Sequence, residues 1–139
     1  MGVATDFISI KTRGKTDIID ITADVCERLS GTGLAKGCVT VFVSGSTGGL
    51  TTIEYEPALV SDTKTFFDKL IPSNAPYAHD ATWGDANGHS HLRSTLLGPS
   101  LTVPFVDGEL TLGTWQQIIF IDFDNRPRNR KLILQFIGE

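Results

Sequence analysis

Apolar and polar residues alternate over short stretches in much of the chain, and such alternation predicts β-strands. Residues 5–12 place Ile8 and Ile10 on one face, and residues 131–137 do the same with Leu132, Leu134 and Phe136. Residues 38–43 form a short, β-branched apolar run, which is typical of a buried strand. The remaining predicted strands cover residues 50–55, 101–106, 109–112 and 115–124.

Apolar residues recur at helical spacing in three other segments. The first helix is predicted from Ile18, Ile21, Val25 and Leu29, after Thr16 or Asp17 as N-cap and up to Gly31 and Gly33. The second begins at Pro57, carries Leu59, Phe66, Phe67 and Leu70 on its apolar face, and ends before Pro72. The third is short. It starts at the N-cap Asn87 and ends at Gly98, and we expect Leu92 and Leu96 on its buried face.

These elements predict an α+β fold with a largely antiparallel sheet. The helices fall in the first two-thirds of the chain, and a hairpin turn at Asp107-Gly108 opens a strand-rich end. Helices segregated from the hairpins are expected to pack on the sheet. We find no repeat or linker, so residues 1–139 are predicted to form a single domain.

Composition narrows the class of protein. The chain has 139 residues, of which 40% are hydrophobic and 20% charged, as in a globular protein. Its net charge of -4 argues against nucleic-acid binding, which requires a basic surface. No apolar run approaches the roughly 20 residues of a membrane helix. We therefore expect no membrane partner and a cytoplasmic location, with Cys26 and Cys38 as buried free thiols.

The titratable residues are concentrated in one stretch. All three histidines of the chain, His79, His89 and His91, lie within thirteen residues, in or just after a predicted long loop over residues 71–88. The same stretch holds Asp80, Asp85, Asn87 and Arg93. Imidazole and carboxylate are common metal ligands and also a common acid–base pair. We favour a functional site here over a polar surface loop, and we expect His79 and His91 to converge in space with Asp80 or Asp85 nearby.

The spacing of His89 and His91 leaves two geometries open. In an extended chain the two side chains point the same way and can share a metal ion. In a helix they diverge by about 200°. If Asn87 caps a helix, its first turn also favours an anion such as phosphate.

Two further segments are weaker candidates. Residues 44–49 (SGSTGG) are small and polar, and can present backbone N–H groups to phosphate, although an ordinary turn explains them as well. Arg126, Arg128 and Arg130 surround Pro127. They fit a phosphate clamp, a solvated hairpin end or a subunit contact.

The order and spacing of these motifs resemble the YjbQ family from about residue 37 to the end. The matching motifs are Tyr77-Ala78-His79-Asp80, Asn87-Gly88-His89-Ser90-His91-Leu92-Arg93, Leu97-Gly98-Pro99-Ser100, Asp107-Gly108, Leu112-Gly113-Thr114-Trp115-Gln116, the basic turn over residues 125–130 and Gly138-Glu139. The resemblance implies a sandwich-like sheet core and a homotrimer. It also implies a secondary thiamine-phosphate-synthase activity, which joins hydroxymethylpyrimidine diphosphate to thiazole phosphate and releases pyrophosphate.

Our first hypothesis is therefore an enzyme that acts on phosphorylated small molecules. His79, Asp80 and His91 are the predicted catalytic residues. The predicted phosphate-binding residues are Asn87, Arg93, Ser46, Thr47 and Glu54. A divalent metal, zinc or magnesium, is expected on His79, His89, His91 and Asp85. The rival hypothesis is a non-catalytic, metal- or ligand-binding homotrimer.

The chain departs from the family pattern next to residues 44–49. Many members carry a histidine where this chain has Gly45, and an asparagine where it has Ile53, whereas Glu54 is kept. If that histidine serves catalysis or metal binding, the site of this chain is altered. We hypothesise that His89 takes its place.

Overall fold

The computed structural model describes every residue from Met1 to Glu139. It contains eight strands and four helices. The strands are β1 (Gly2–Thr12), β2 (Asp17–Asp20), β3 (Gly37–Val43), β4 (Gly48–Ile53), β5 (Ser100–Val106), β6 (Glu109–Leu110), β7 (Gln117–Asp122) and β8 (Arg128–Gly138). The helices are α1 (Thr22–Thr32), α2 (Pro57–Leu70), α3 (Ala78–Trp83) and α4 (Gly88–Leu97). None of the helices is long and apolar enough to cross a membrane.

The strands form two antiparallel sheets. The larger has the order β1-β8-β3-β5-β6, and the smaller has the order β2-β7-β4. Strand β8 pairs over its length with β1, from Gly2↔Gly138 to Thr12↔Arg128. The predicted α+β fold with a largely antiparallel, sandwich-like core is confirmed.

The core fills both faces of the smaller sheet. Ile118 and Phe120 of β7 pack with Leu132, Leu134 and Phe136 of β8, between the two sheets. The alternate residues Ile119 and Ile121 point to the other face, where Phe67 of α2 covers them. Because β7 is buried on both faces, its sequence is a continuous apolar run instead of an alternating one.

Two sequence predictions about element boundaries are wrong. Residues 17–20 form strand β2, with Asp17 paired to Asp122 of β7, and do not begin the first helix. Helix α1 starts at Thr22, whose backbone N–H and hydroxyl both donate to the Asp20 carboxylate. Pairing with β7 overrides the helical spacing of Ile18 and Ile21. In addition, the predicted loop over residues 71–88 contains helix α3.

The predicted buried face of α4 is also wrong. Leu92 and Leu96 are 47% and 57% exposed, whereas Arg93 and Ser94 are buried. The Ser94 hydroxyl donates to the Gly48 carbonyl at 2.6 Å, and the Leu97 side chain packs over Gly49. Helix α4 thus lies on β4 through a largely polar face, and Leu92 and Leu96 point outward.

The predicted burial of the two free cysteines is wrong as well, since Cys26 and Cys38 are both exposed. Val25 and Leu29 form the buried face of α1, and Val39 and Val41 form that of β3, so neither cysteine points into the core.

Candidate functional site

Helices α3 and α4 bring His79 and His91 together. Their ring centroids are 4.5 Å apart, with the rings inclined at 60°. His79 lies in the first turn of α3, and His91 lies in the first turn of α4. The short connection through Gly84, which adopts a left-handed conformation, folds one helix back towards the other. The convergence expected from the clustered histidines is therefore observed.

Hydrogen bonding fixes the tautomer of His79. Its Nε2 lies 3.1 Å from Oδ1 of the buried Asn87 and 3.8 Å from a carboxylate oxygen of Asp85. Both are acceptors, so Nε2 carries the hydrogen. When the ring is neutral, Nδ1 therefore holds the free lone pair, and no group in the chain donates to it. This arrangement suits a proton acceptor held in one orientation by its second nitrogen.

Asp80 and Asn87 hold the two helices in place. The Asp80 carboxylate accepts from the Gly88 N–H at 2.8 Å, and so caps the start of α4. Asn87 is the residue before α4, as predicted, but its side chain does not cap the helix. Its amide oxygen is engaged by His79 instead.

Helical geometry separates His89 from His91. Both lie on α4, so they point about 200° apart, and the shared-metal geometry of an extended His-x-His pair does not form. Across the chain, histidine, cysteine, aspartate and glutamate side chains nowhere gather in groups of three or more that could hold a metal ion. A divalent metal on some of the predicted ligands stays a prediction.

His89 lines a polar cleft of about 410 Å³ on the other side of α4. The side chain is 93% buried, since its exposed fraction is 7%. Burial lowers the pKa of His89, and the positive charge of Arg93 lowers it further, so the imidazole is held neutral. Nδ1 of His89 is the one buried side-chain nitrogen or oxygen atom that has no hydrogen-bond partner.

Arg93 ties three segments together at this cleft. Its Nε and one terminal nitrogen donate to the Ile71 carbonyl, and the other terminal nitrogen donates to the Thr16 hydroxyl at 2.8 Å. Asp68 of α2 lies 3.3 Å from the guanidinium. The guanidinium has five N–H groups, and one on the nitrogen that bonds Thr16 has no partner in the chain.

The backbone of the cleft is strained. Lys15, Thr16 and Ala86 all have positive φ angles, of 55°, 62° and 55°, although none is glycine. All three line the cleft, and the only other such residue, Asp107, forms the β5–β6 hairpin turn. Strain of this kind tends to concentrate at functional sites.

Several predicted site residues lie away from the histidines. Ser46 and Glu54 are exposed and make no side-chain hydrogen bond. Thr47 is buried, donates to Asp124 at 3.2 Å and accepts from Arg130 at 2.6 Å. These contacts place Thr47 in a buried ionic network. Their predicted role in phosphate binding stays a prediction.

Two of the three arginines around Pro127 belong to the same network. Arg130 binds both oxygens of the Asp122 carboxylate, at 2.7 and 2.9 Å, and Arg128 pairs with Asp124. Burial alone would raise the pKa of Asp124, but the hydrogen bonds from Asn125 and Arg128 outweigh it and lower the pKa. Arg126 is exposed and unpaired. The arginines therefore balance buried carboxylates and do not form a three-membered clamp.

Sequence reasoning missed five residues that line the cleft, namely Lys15, Thr16, Asp68, Ser73 and Asn125. They come from the β1–β2 turn, the end of α2 and the segment after β7. Asn125 donates to the Asp85 carbonyl at 2.7 Å, which fixes the α3–α4 connection against this segment. The sequence predicted the basic turn over residues 125–130, but it held no sign that this segment meets the β1–β2 turn and the end of α2.

The fold and the site together define a small α+β protein with paired histidines on one side of helix α4 and a polar cleft on the other. Residues 6–139 match the family described as UPF0047 protein YjbQ-like. A UPF0047 protein of Methanothermobacter thermautotrophicus is 38% identical over all of this chain and 95% of its own length. The UPF0047 protein YugU of Bacillus subtilis is 32% identical over 94% of this chain and 97% of its own length.

Solved structures of similar fold support the same family assignment. A YbjQ-like protein of unknown function from Sulfolobus solfataricus superposes with a TM-score of 0.94 at 29% identity, covering 99% of both chains. A hypothetical protein of Aeropyrum pernix gives 0.91 at 35% identity, covering 98% of this chain and 99% of its own. The chain belongs to the YjbQ-like UPF0047 family, as its motifs indicated.

Proposed function

We propose that the protein is an enzyme that acts on a phosphorylated small molecule, with His79 and His91 as its acid–base pair. The observation that carries this proposal is the contact of the two rings at 4.5 Å, with His79 oriented by Asn87. Nδ1 of His79 acts as the base, and His91, which makes no side-chain hydrogen bond, is free to act on the substrate. An imidazole gains and loses protons near neutral pH, which suits both roles.

The family resemblance suggests one reaction to assay first. It is the thiamine-phosphate-synthase-like joining of hydroxymethylpyrimidine diphosphate to thiazole phosphate. Release of pyrophosphate from the two precursors together, and not from either alone, supports that reaction. If no pyrophosphate appears, this particular reaction is wrong. Binding of inorganic pyrophosphate and of phosphate esters then tests the broader proposal.

A non-catalytic metal- or ligand-binding homotrimer is the second candidate. The outer face of the larger sheet supports self-association, since it exposes the apolar side chains of Val3, Phe7, Phe42, Val106 and Ile137. Metal analysis and light scattering of the purified protein distinguish the candidates. Bound metal in a trimer without turnover favours this one.

His91→Ala should abolish turnover and leave the fold nearly intact. The His91 ring is half-buried and makes no side-chain hydrogen bond, so its removal leaves little cavity. Loss of an acid–base group lowers the rate by about 10²–10⁴-fold. The measurement is the rate of product release beside a thermal melt.

Leu96→Ala on the same helix is the matched control. Leu96 is exposed, so this variant should keep both its activity and its melting temperature, with a change in stability within about 0.5 kcal/mol. Full activity of His91→Ala, or a loss of stability that explains its inactivity, would refute the assignment.

A further inference from the structure

We propose that the cleft of Lys15, His89 and Arg93 binds the phosphate of a hydroxyl-rich ligand, such as a sugar or polyol phosphate. This proposal rests on the proposed function, because it names the class of substrate which that function requires. It concerns binding alone, so it can fail or hold independently of turnover.

The charge of the cleft favours an anion. Lys15 and Arg93 bring two positive charges and Asp68 one negative charge, while His89 is neutral. The Lys15 ammonium has no ion-pair partner in the chain. The guanidinium of Arg93 is held rigidly by Ile71 and Thr16, and it keeps one N–H free. A phosphate oxygen can accept from both side chains, as charge-assisted hydrogen bonds require.

His89 is the second, independent sign of a ligand. A buried polar atom without a partner costs about 1–3 kcal/mol, so native proteins seldom leave one. The Ser90 hydroxyl lies 3.4 Å from Nε2, and Nδ1 is left with none. The ring lines the cleft together with Lys15 and Arg93. Because Nδ1 is shielded from solvent, the ring must turn towards the cleft before a bound ligand can supply the missing partner.

The residues that line the cleft indicate which class of molecule the bound phosphate group belongs to. Of the eight residues around the cleft, only Ala86 is apolar, and none is a phenylalanine, tyrosine or tryptophan, so the imidazole of His89 is the one aromatic ring in the lining. An aromatic ligand would therefore gain little from burial. The Asp68 carboxylate, the Ser73 hydroxyl and the Asn125 amide instead provide acceptors and donors for hydroxyl groups. We infer a polyhydroxylated phosphate ester in preference to a heteroaromatic one, which favours the broader function, an enzyme for phosphorylated small molecules, over the pyrimidine and thiazole substrates that the family resemblance suggests.

Calorimetric titration with three probes tests this inference. The probes are inorganic phosphate, ribose 5-phosphate and phenyl phosphate. Ribose 5-phosphate should bind more tightly than both others, since it alone brings phosphate and hydroxyls together. Equal or tighter binding of phenyl phosphate would overturn the choice of ligand class. Absence of binding by all three would overturn the site.

Two variants assign the binding to this cleft. Lys15→Gln should weaken ribose 5-phosphate binding about tenfold, since it removes one charge-assisted contact. Arg126→Gln makes the same charge change at an exposed position outside the cleft and should leave the affinity within about twofold. If the two variants behave alike, the effect comes from net charge and the site assignment fails.

His89→Leu gives a signature that a structural role cannot produce. It should weaken ribose 5-phosphate binding while the melting temperature stays unchanged or rises, because an unpaired buried polar atom is replaced by an apolar side chain. A lower melting temperature with unchanged affinity would show that His89 serves the fold and not the ligand.

Discussion

Replacement of Arg130 by methionine is expected to destabilise the protein by about 3–5 kcal/mol, because it leaves a buried carboxylate without its partner. The Asp122 side chain is fully buried, and that of Arg130 is 11% exposed. Arg130 binds both oxygens of Asp122 and donates to Thr47, so one substitution removes all these contacts. A loss of this size is a large part of a small domain's stability, about 5–15 kcal/mol.

The network also joins the two sheets, so its loss should destabilise the whole domain. Asp122 lies on β7 of the smaller sheet, whereas Arg130 lies on β8 of the larger one. Thr12 of β1 donates to the same carboxylate at 2.6 Å. Urea unfolding of Arg130→Met measures the change.

The control is Arg126→Met, four residues earlier and exposed without a partner. It should change the free energy of unfolding by less than about 0.5 kcal/mol. Similar losses for the two variants would mean that the buried network contributes no more than an ordinary surface arginine.

Gly14→Ala is expected to destabilise the protein by about 2–5 kcal/mol and to damage the cleft as well. Gly14 has a φ of 70°, and a Cβ added there would clash with the Arg126 carbonyl oxygen and lie 2.8 Å from that of Asp124. The left-handed conformation costs a non-glycine residue about 1–2 kcal/mol, and the forced contact adds about 1–3 kcal/mol. Because both obstacles are backbone atoms, the β1–β2 turn must move, and it carries Lys15 and Thr16 with it.

Gly33→Ala separates the cost of the left-handed conformation from the cost of the close backbone contact. Gly33 has the same φ of 70°, but nothing lies within 4 Å of an added Cβ. This variant should lower the free energy of unfolding by only the cost of the left-handed conformation, about 1–2 kcal/mol, and leave ligand binding unchanged. Urea unfolding measures the stability of the two variants, and titration with ribose 5-phosphate measures their ligand binding. Equal losses of stability at the two glycines would contradict the close approach at Gly14.

The strand-forming parts of the fold could be predicted because their patterns are local. The alternation of Leu132, Leu134 and Phe136 identified a buried face of β8, and all three side chains are fully buried. The Asp107-Gly108 turn was likewise predicted from two residues alone. Residues 17–20 were misread because strand pairing with β7 is a long-range effect that helical spacing cannot reveal.

The site could be predicted only in part. The concentration of all three histidines in one segment indicated that His79 and His91 converge. It could not show that Arg93 is buried while Leu92 is exposed, since that depends on hydrogen bonds to Ile71 and Thr16 from distant segments. Nor could it place Lys15 beside His89, because the cleft is formed where separate turns meet.

Histidine NMR during titration with ribose 5-phosphate tests directly whether the cleft binds a substrate of the histidine pair. The chain has only three histidines, so the imidazole signals of His89 report on the cleft and those of His79 and His91 report on the other side of α4. We expect the phosphate to shift the His89 signals through direct contact, and we expect a ligand that reaches the histidine pair to shift those of His79 and His91 as well. Histidine signals that stay unchanged at ligand concentrations that saturate ordinary metabolite sites would contradict both expectations.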